Sequence, residues 1–151
     1  MDIRIKYFSK DYPRLEKLEV GNWIDLRVNN VIDGFFEMGR ITYKKGDILF
    51  LGLGVAMELP KGYEAYVVAR SSTFKKTGLI LTNGQGIIDN AYCGDNDEWK
   101  AMVYATRDGV INRHQRLFQF RIQEKMPELN FIEVDELGNK DRGGYGSTGT
   151  K

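Results

Sequence analysis

Cysteine and histidine are almost missing from this 151-residue chain, which has one of each, Cys93 and His114. A single thiol excludes an internal disulfide, and the pair is too few for a Cys/His zinc site. An excess of either charge is also lacking: 22 Lys and Arg stand against 21 Asp and Glu, for a net charge of +1. Nucleic-acid and membrane-surface binders need a basic stripe, so neither partner is expected. No apolar run reaches the ~18 residues of a membrane span. Residues 1–10 alternate charged and apolar side chains where a secretory signal would have an apolar core. These absences predict a cytoplasmic protein. Proline is scarce at 3, but Gly numbers 17 and hydrophobic residues make up 42%. That composition and length suit one domain, burying roughly 70% of its unfolded surface.

The hydrophobic period is mostly two. Ile3, Ile5 and Tyr7 alternate with Arg4 and Lys6, and Ile24, Leu26 and Val28 with Asp25 and Arg27. Phe118, Phe120 and Ile122 repeat the pattern, and Phe131, Ile132 and Val134 close the series. Turn signals at Asn29-Asn30, Asp33-Gly34, Lys45-Gly46-Asp47 and Arg107-Asp108-Gly109 separate these half-buried strands. The apolar runs 47–59 and 63–69 read either as strands buried on both faces or as barrel strands, and many short strands with regular turns predict a barrel or sandwich. One short helix is expected over 73–77, N-capped by Ser71 or Ser72 and ended by Gly78 in the left-handed C′ position. Residues 137–151 hold five Gly and, after Leu137, one large apolar side chain, Tyr145. Such a tail is either a disordered terminus or an arm that orders on an anion, its Gly, Ser and Thr amides forming a phosphate nest.

Two segments carry polar residues that a plain barrel does not need. In Arg70-Ser71-Ser72 an Arg fork and two hydroxyls meet where strand gives way to helix, which suits a phosphate; an ordinary Ser cap is the alternative. The run from Asn83 to Gly94 has two Gly, paired Ile and then Asp89, the pattern of a hairpin presenting a carboxylate at its end. Its edge amides suit close approach of a planar base, and an Asp that merely caps a turn is the alternative.

Taken in order, these segments resemble the trimeric dUTPase family, the dUTP diphosphatases. Five motifs carry the resemblance: Asn22-Trp23-Ile24-Asp25-Leu26; Arg70-Ser71-Ser72; Gly86-Ile87-Ile88-Asp89-Asn90-Ala91-Tyr92-Cys93-Gly94; Arg116, Leu117 and Gln119; and Arg142-Gly143-Gly144-Tyr145-Gly146-Ser147-Thr148-Gly149. The third and fifth are the specific ones. The resemblance implies an all-β fold, a distorted jelly-roll β-barrel over residues 1–137 with one short helix. It also implies a Gly-rich C-terminal arm, residues 138–151, that closes the active site. Homotrimers with active sites at subunit interfaces, Mg²⁺, and hydrolysis of dUTP to dUMP and diphosphate come with it.

By the same resemblance Asp89 orients and deprotonates the attacking water, and Tyr92 lies beneath the deoxyribose. Asn83 and the backbone from Gly84 through Gly86, Ile87 and Ile88 would read uracil. Arg70, Ser71, Ser72 and Gln119 would hold phosphates, and Arg142, Tyr145, Gly146, Ser147 and Thr148 would close over the far end. Asp25 would reach the metal through water.

Some positions depart from the family pattern. His114-Gln115 replaces the usual Gly-Asp. Strand parity puts Arg116 and Gln119 on opposite faces, which favours Gln119 as the ligand and Arg116 as a structural or interface residue. The lid aromatic is Tyr145 or one elsewhere, such as Trp99. The stretch from Gly94 to Glu98 is expected to be a solvated loop, and His114 a surface residue. The rivals are a non-catalytic or dual-role module of the same fold with a regulatory protein partner, and a dCTP deaminase. The latter needs a Glu on the strand after the third motif, and residues 99–105 contain none.

Overall fold

The computed structural model describes residues 1–32, 34, 36–149 and 151, so Asp33 of one expected turn lies outside them. The alternating segments form antiparallel strands: β1 (Arg4–Tyr7), β2 (Ile24–Arg27), β3 (Asn30–Val31), β4 (Arg40–Tyr43), β5 (Ile48–Gly52), β6 (Val55–Glu58) and β7 (Tyr63–Ala69). A single helical turn, α1 (Thr73–Thr77), precedes β8 (Leu79–Leu81), β9 (Gly86–Ile88), β10 (Lys100–Ala105), β11 (Gly109–Asn112) and β12 (Arg116–Glu124). They pair as β1-β6, β3-β5-β10-β8, β11-β4 and β2-β12-β7-β9. The two four-stranded sheets enclose one core, whose largest fully buried side chains include Trp99, Tyr12, Tyr43 and Phe118. This is the expected all-β barrel with one short helix.

The run 47–59 becomes two strands because Gly54, at φ 73°, turns the chain between them. Both strands face the core on most positions. Five residues are too few for a helix to hold itself together, and α1 is fastened from outside. The Thr73 hydroxyl donates to the Leu117 carbonyl at 2.6 Å, and the Tyr43 hydroxyl to that of Thr77 at 2.7 Å. Gly78 ends the helix at φ 69°, its N–H reaching the Phe74 carbonyl at 2.7 Å. Ser72 stands at the N-cap but makes no side-chain capping bond, so its hydroxyl is not used as expected.

Two other expectations fail. Residues 83–94 do not open with a hairpin: β8 pairs with β10 and β9 with β7, so the turn between them crosses from one sheet to the other. The closing strand at Phe131, Ile132 and Val134 is absent. The last strand ends at Glu124, and Phe131 and Ile132 are 90% and 77% exposed. The alternation there is real, but among the described residues no strand of this chain pairs with it.

Candidate active site

The β2-β12-β7-β9 sheet positions most of the motif residues. Its inner face carries Leu26, Phe118, Phe120 and Val67, all in the core. Side chains alternate along a strand, so Asp25 of β2 faces outward, opposite Gln119 of β12, which in turn faces Val68 of β7. Arg70 follows two residues after Val68, on the same side.

Contrary to the strand-parity expectation, Arg116 does not point away from Gln119. The register of β12 against β2 shifts between Arg116 and Phe118, a β-bulge that buries Leu117 and Phe118 in succession. One extra residue resets the alternation. Arg116 therefore lies opposite Arg27, on the same outward face as Asp25 and Gln119.

There Asp25 is held by two guanidinium groups. Arg70 Nε meets its Oδ1 at 3.0 Å and Arg116 Nη1 its Oδ2 at 3.1 Å. Arg70 Nη1 also donates to the Arg116 carbonyl at 3.2 Å. Beside this cluster lies a cleft of about 190 Å³ lined by Arg70, Ser72, Lys76, Gln115 and Arg116. Three cations around an uncapped hydroxyl suit a polyphosphate. Sequence reasoning does not single out Lys76, and it marks Gln115 only as a departure from the fourth motif, not as a residue of the cleft. Lys76 stands one helical turn after Ser72, a spacing that puts both on one face.

Asp89 and Tyr92 sit elsewhere. Asp89 is exposed, one residue beyond Ile88, and its carbonyl accepts the Tyr92 N–H at 3.0 Å in a tight turn. Tyr92 is half-buried against the core, and its hydroxyl donates to the Glu98 carbonyl at 2.9 Å. Asn83 and Gly84 form the exposed turn before β9, with Gly84 at φ 67°. Gly86 is half-buried over Val67, Ile87 is exposed and Ile88 is in the core. Because Ile88 pairs with Ala65, Asp89 falls beside Glu64, six residues along from Arg70. At ~3.3 Å per residue the two are roughly 20 Å apart. One copy does not bring them together.

Arg142, Tyr145, Gly146, Ser147 and Thr148 are all exposed in a run of turns, closed by Ser147 N–H to Gly144 C=O at 3.1 Å and Gly149 N–H to Gly146 C=O at 2.9 Å. Ser71 is exposed as well.

Three residues differ from expectation. Trp99 has no exposed surface and meets Phe120 edge-on at 5.2 Å, so it cannot serve as a lid. Glu98 is buried, with its Oε1 accepting the Gly54 N–H at 2.8 Å. Burial pushes its pKa up, against the Gly54 hydrogen bond and the charge of Lys100. His114 is half-buried, edge-on to Tyr12 at 5.6 Å, with its Nε2 enclosed and unpartnered among the described residues. Burial, then Arg113, lowers its pKa. Its φ of 65° is the left-handed conformation that favours glycine, which explains why the Gly of the family pattern is expected there.

Among the described residues no three His, Cys, Asp or Glu side chains gather as a metal site. Asp25 is the carboxylate nearest the cleft, and both its oxygens already accept from arginines. This donor set fits a hard cation only if other oxygens, such as those of phosphates, supply most of the ligands.

A family model for dUTPase matches residues 40–150. Over 151 residues, all of both chains, the protein is 52% identical to the SPbeta prophage-derived deoxyuridine 5'-triphosphate nucleotidohydrolase YosS of Bacillus subtilis (strain 168). It shares its fold with a mutant dUTPase of Staphylococcus bacteriophage 80alpha with dUpNHpp, at TM-score 0.73 and 18% identity over 99% of each chain. A mutant dUTPase from phage phi11 of S. aureus, described for its structural Mg(II) ion, gives TM-score 0.70 and 17% identity, over 91% of this chain and 99% of that one. The first motif, at residues 22–26, lies outside the stretch matched by the family model but inside the full-length match. The chain belongs to the dUTPase family.

Proposed function

We propose that this chain hydrolyses dUTP to dUMP and diphosphate, as a homotrimer whose active sites lie between subunits. The observation that carries the reading is the pairing of two half-sites on one family member. One is an exposed Asp89 beside an anchored Tyr92; the other is a cationic cleft at Arg70, Ser72, Lys76 and Arg116. A water and the phosphorus it attacks must come within ~3–3.5 Å. Half-sites roughly 20 Å apart along a strand therefore support a site shared between copies. The exposed apolar residues 126–137 and the arm, residues 138–151, support a segment that reaches a neighbour.

In this reading Asp89 takes a hydrogen bond from the attacking water and accepts its proton as the oxygen adds in line to the α-phosphorus. The Tyr92 ring lies under the sugar. Asn83 and the backbone of Gly86, Ile87 and Ile88 offer the donors and acceptors that match uracil and mismatch cytosine. Arg70, Ser71, Ser72 and Gln119 hold phosphates. Arg142, Ser147 and Thr148 close over the γ end, with Gly146 admitting the close approach and Tyr145 covering the base. Mg²⁺ would be held chiefly by phosphate oxygens, with Asp25 reached through water, and would supply charge neutralisation to the leaving diphosphate. Among the described residues no helix is long and apolar enough to cross a membrane, and we read the protein as cytoplasmic.

Diphosphate release from each deoxynucleoside triphosphate in turn tests the activity. Release from dUTP alone is the expected result. Ammonia release from dCTP would establish the deaminase, and binding of dUTP without turnover a regulatory module.

A further inference from the structure

Glu98 is a carboxylate placed where water is scarce, and burying one is costly unless it is well hydrogen-bonded. Its surroundings are built for it. Gly54 turns at φ 73° and aims its N–H at Oε1. A Cβ on Gly52 would come within 2.5 Å of that same oxygen and would also collide with Asn30 Oδ1. The next residue, Trp99, donates its N–H to the Val55 carbonyl at 2.8 Å and accepts the Leu53 N–H at 2.8 Å. Glu98-Trp99 is thus clipped from both sides into the break between β5 and β6. To this fixed point the Tyr92 hydroxyl is tied, through the Glu98 carbonyl.

We infer that Glu98 is a positioning residue for Tyr92, and that the strut from Gly54 through Glu98 to the Tyr92 hydroxyl sets how strongly the enzyme rejects ribonucleotides. The inference rests on the proposed dUTP reading, in which the ring is the floor of the sugar subsite. A floor rejects a 2′-hydroxyl only if it does not yield. A tyrosine ring held at its base alone can tilt about its side-chain torsions, whereas one tethered at both ends cannot. Discrimination then depends on a residue that never touches the nucleotide.

The test measures kcat/KM for dUTP and UTP with the full-length native protein and with Tyr92→Phe, Glu98→Ala, Glu98→Gln and the Tyr92→Phe/Glu98→Ala double variant. Tyr92→Phe and Glu98→Ala should each reduce the dUTP-to-UTP ratio about tenfold, as expected for one lost hydrogen bond. Glu98→Gln should keep most of the ratio, because an amide oxygen still accepts the Gly54 N–H. The double variant should be no worse than the poorer single one, since both break the same strut. A native ratio in Tyr92→Phe, or equal losses for both nucleotides, would overturn the inference. Should Glu98→Ala fail to fold, Tyr92→Phe decides it alone, since it leaves the buried carboxylate untouched. A native protein inactive on dUTP would instead refute the proposed function.

Discussion

Asp89 is exposed and lies at the end of a strand, with its backbone carbonyl rather than its carboxylate engaged in the local turn. A side chain so placed contributes little to folding, so replacing it should separate chemistry from stability. Asp89→Asn is expected to lower kcat by about 10²–10⁴-fold, the usual range for losing a general base. Titration with a non-hydrolysable dUTP analogue should still show binding, and the thermal midpoint should not move. Tyr12 is the opposite case. Its hydroxyl donates to the Arg27 carbonyl at 3.2 Å and accepts the Arg27 N–H at 2.9 Å, fixing the N-terminal segment to β2. Burial pushes its pKa from 10.0 up to about 12. The unfolded chain therefore releases that proton first as pH rises. The stabilisation is complete below pH 10 and fades towards pH 12, a loss of about 2–3 kcal/mol. Denaturant midpoints across that window should fall for the native protein. In Tyr12→Phe, which starts lower, they should fall less.

At the level of elements, the arm and the bulge matter most. Deleting residues 138–151 should leave the thermal transition nearly unchanged, because that stretch has no place in the core. It should remove most dUTP turnover, with the defect in kcat as well as KM, if closure is what fixes the triphosphate for attack. Unimpaired kcat after truncation would make the arm a spectator. The elements themselves were largely legible: the 73–77 helix, its Gly78 stop and the 63–69 strand follow from local chemistry that tertiary context did not override. The bulge at Leu117 was not, because periodicity arguments assume an unbroken register. Two successive large apolar residues, Leu117 and Phe118, were the available signal. The burial of Glu98 escapes a sequence reading for a related reason. A polar run between turns looks solvated, and only the distant Gly52 and Gly54 make room for it. Phe131 and Ile132 have a strand's pattern, but pattern does not say whether a partner exists in the same chain.

For the whole molecule, the separation of Asp89 from Arg70 gives a test that static mass measurement does not. Light scattering should report three times 17.3 kDa. More tellingly, Asp89→Asn and Arg70→Ala chains, each inactive alone, should complement when co-refolded. If every site takes its Asp89 from one copy and its Arg70 from another, random mixing restores about a quarter of the sites. A mixture as inactive as its components would place both residues in one subunit's site and rule out the shared arrangement.

The same architecture equips the protein with optical probes at two depths. Of its two tryptophans, Trp99 is sealed against Phe120 in the core. Trp23 lies under the Arg121 guanidinium, 5.7 Å from the ring centroid, two residues from Asp25. A soluble quencher such as iodide should therefore reach Trp23 and spare Trp99. Any change in emission on adding nucleotide should come from the accessible fraction, while the shielded fraction reports only unfolding. Substituting Trp23→Phe should silence the ligand signal and leave a chain whose remaining fluorescence follows the barrel alone.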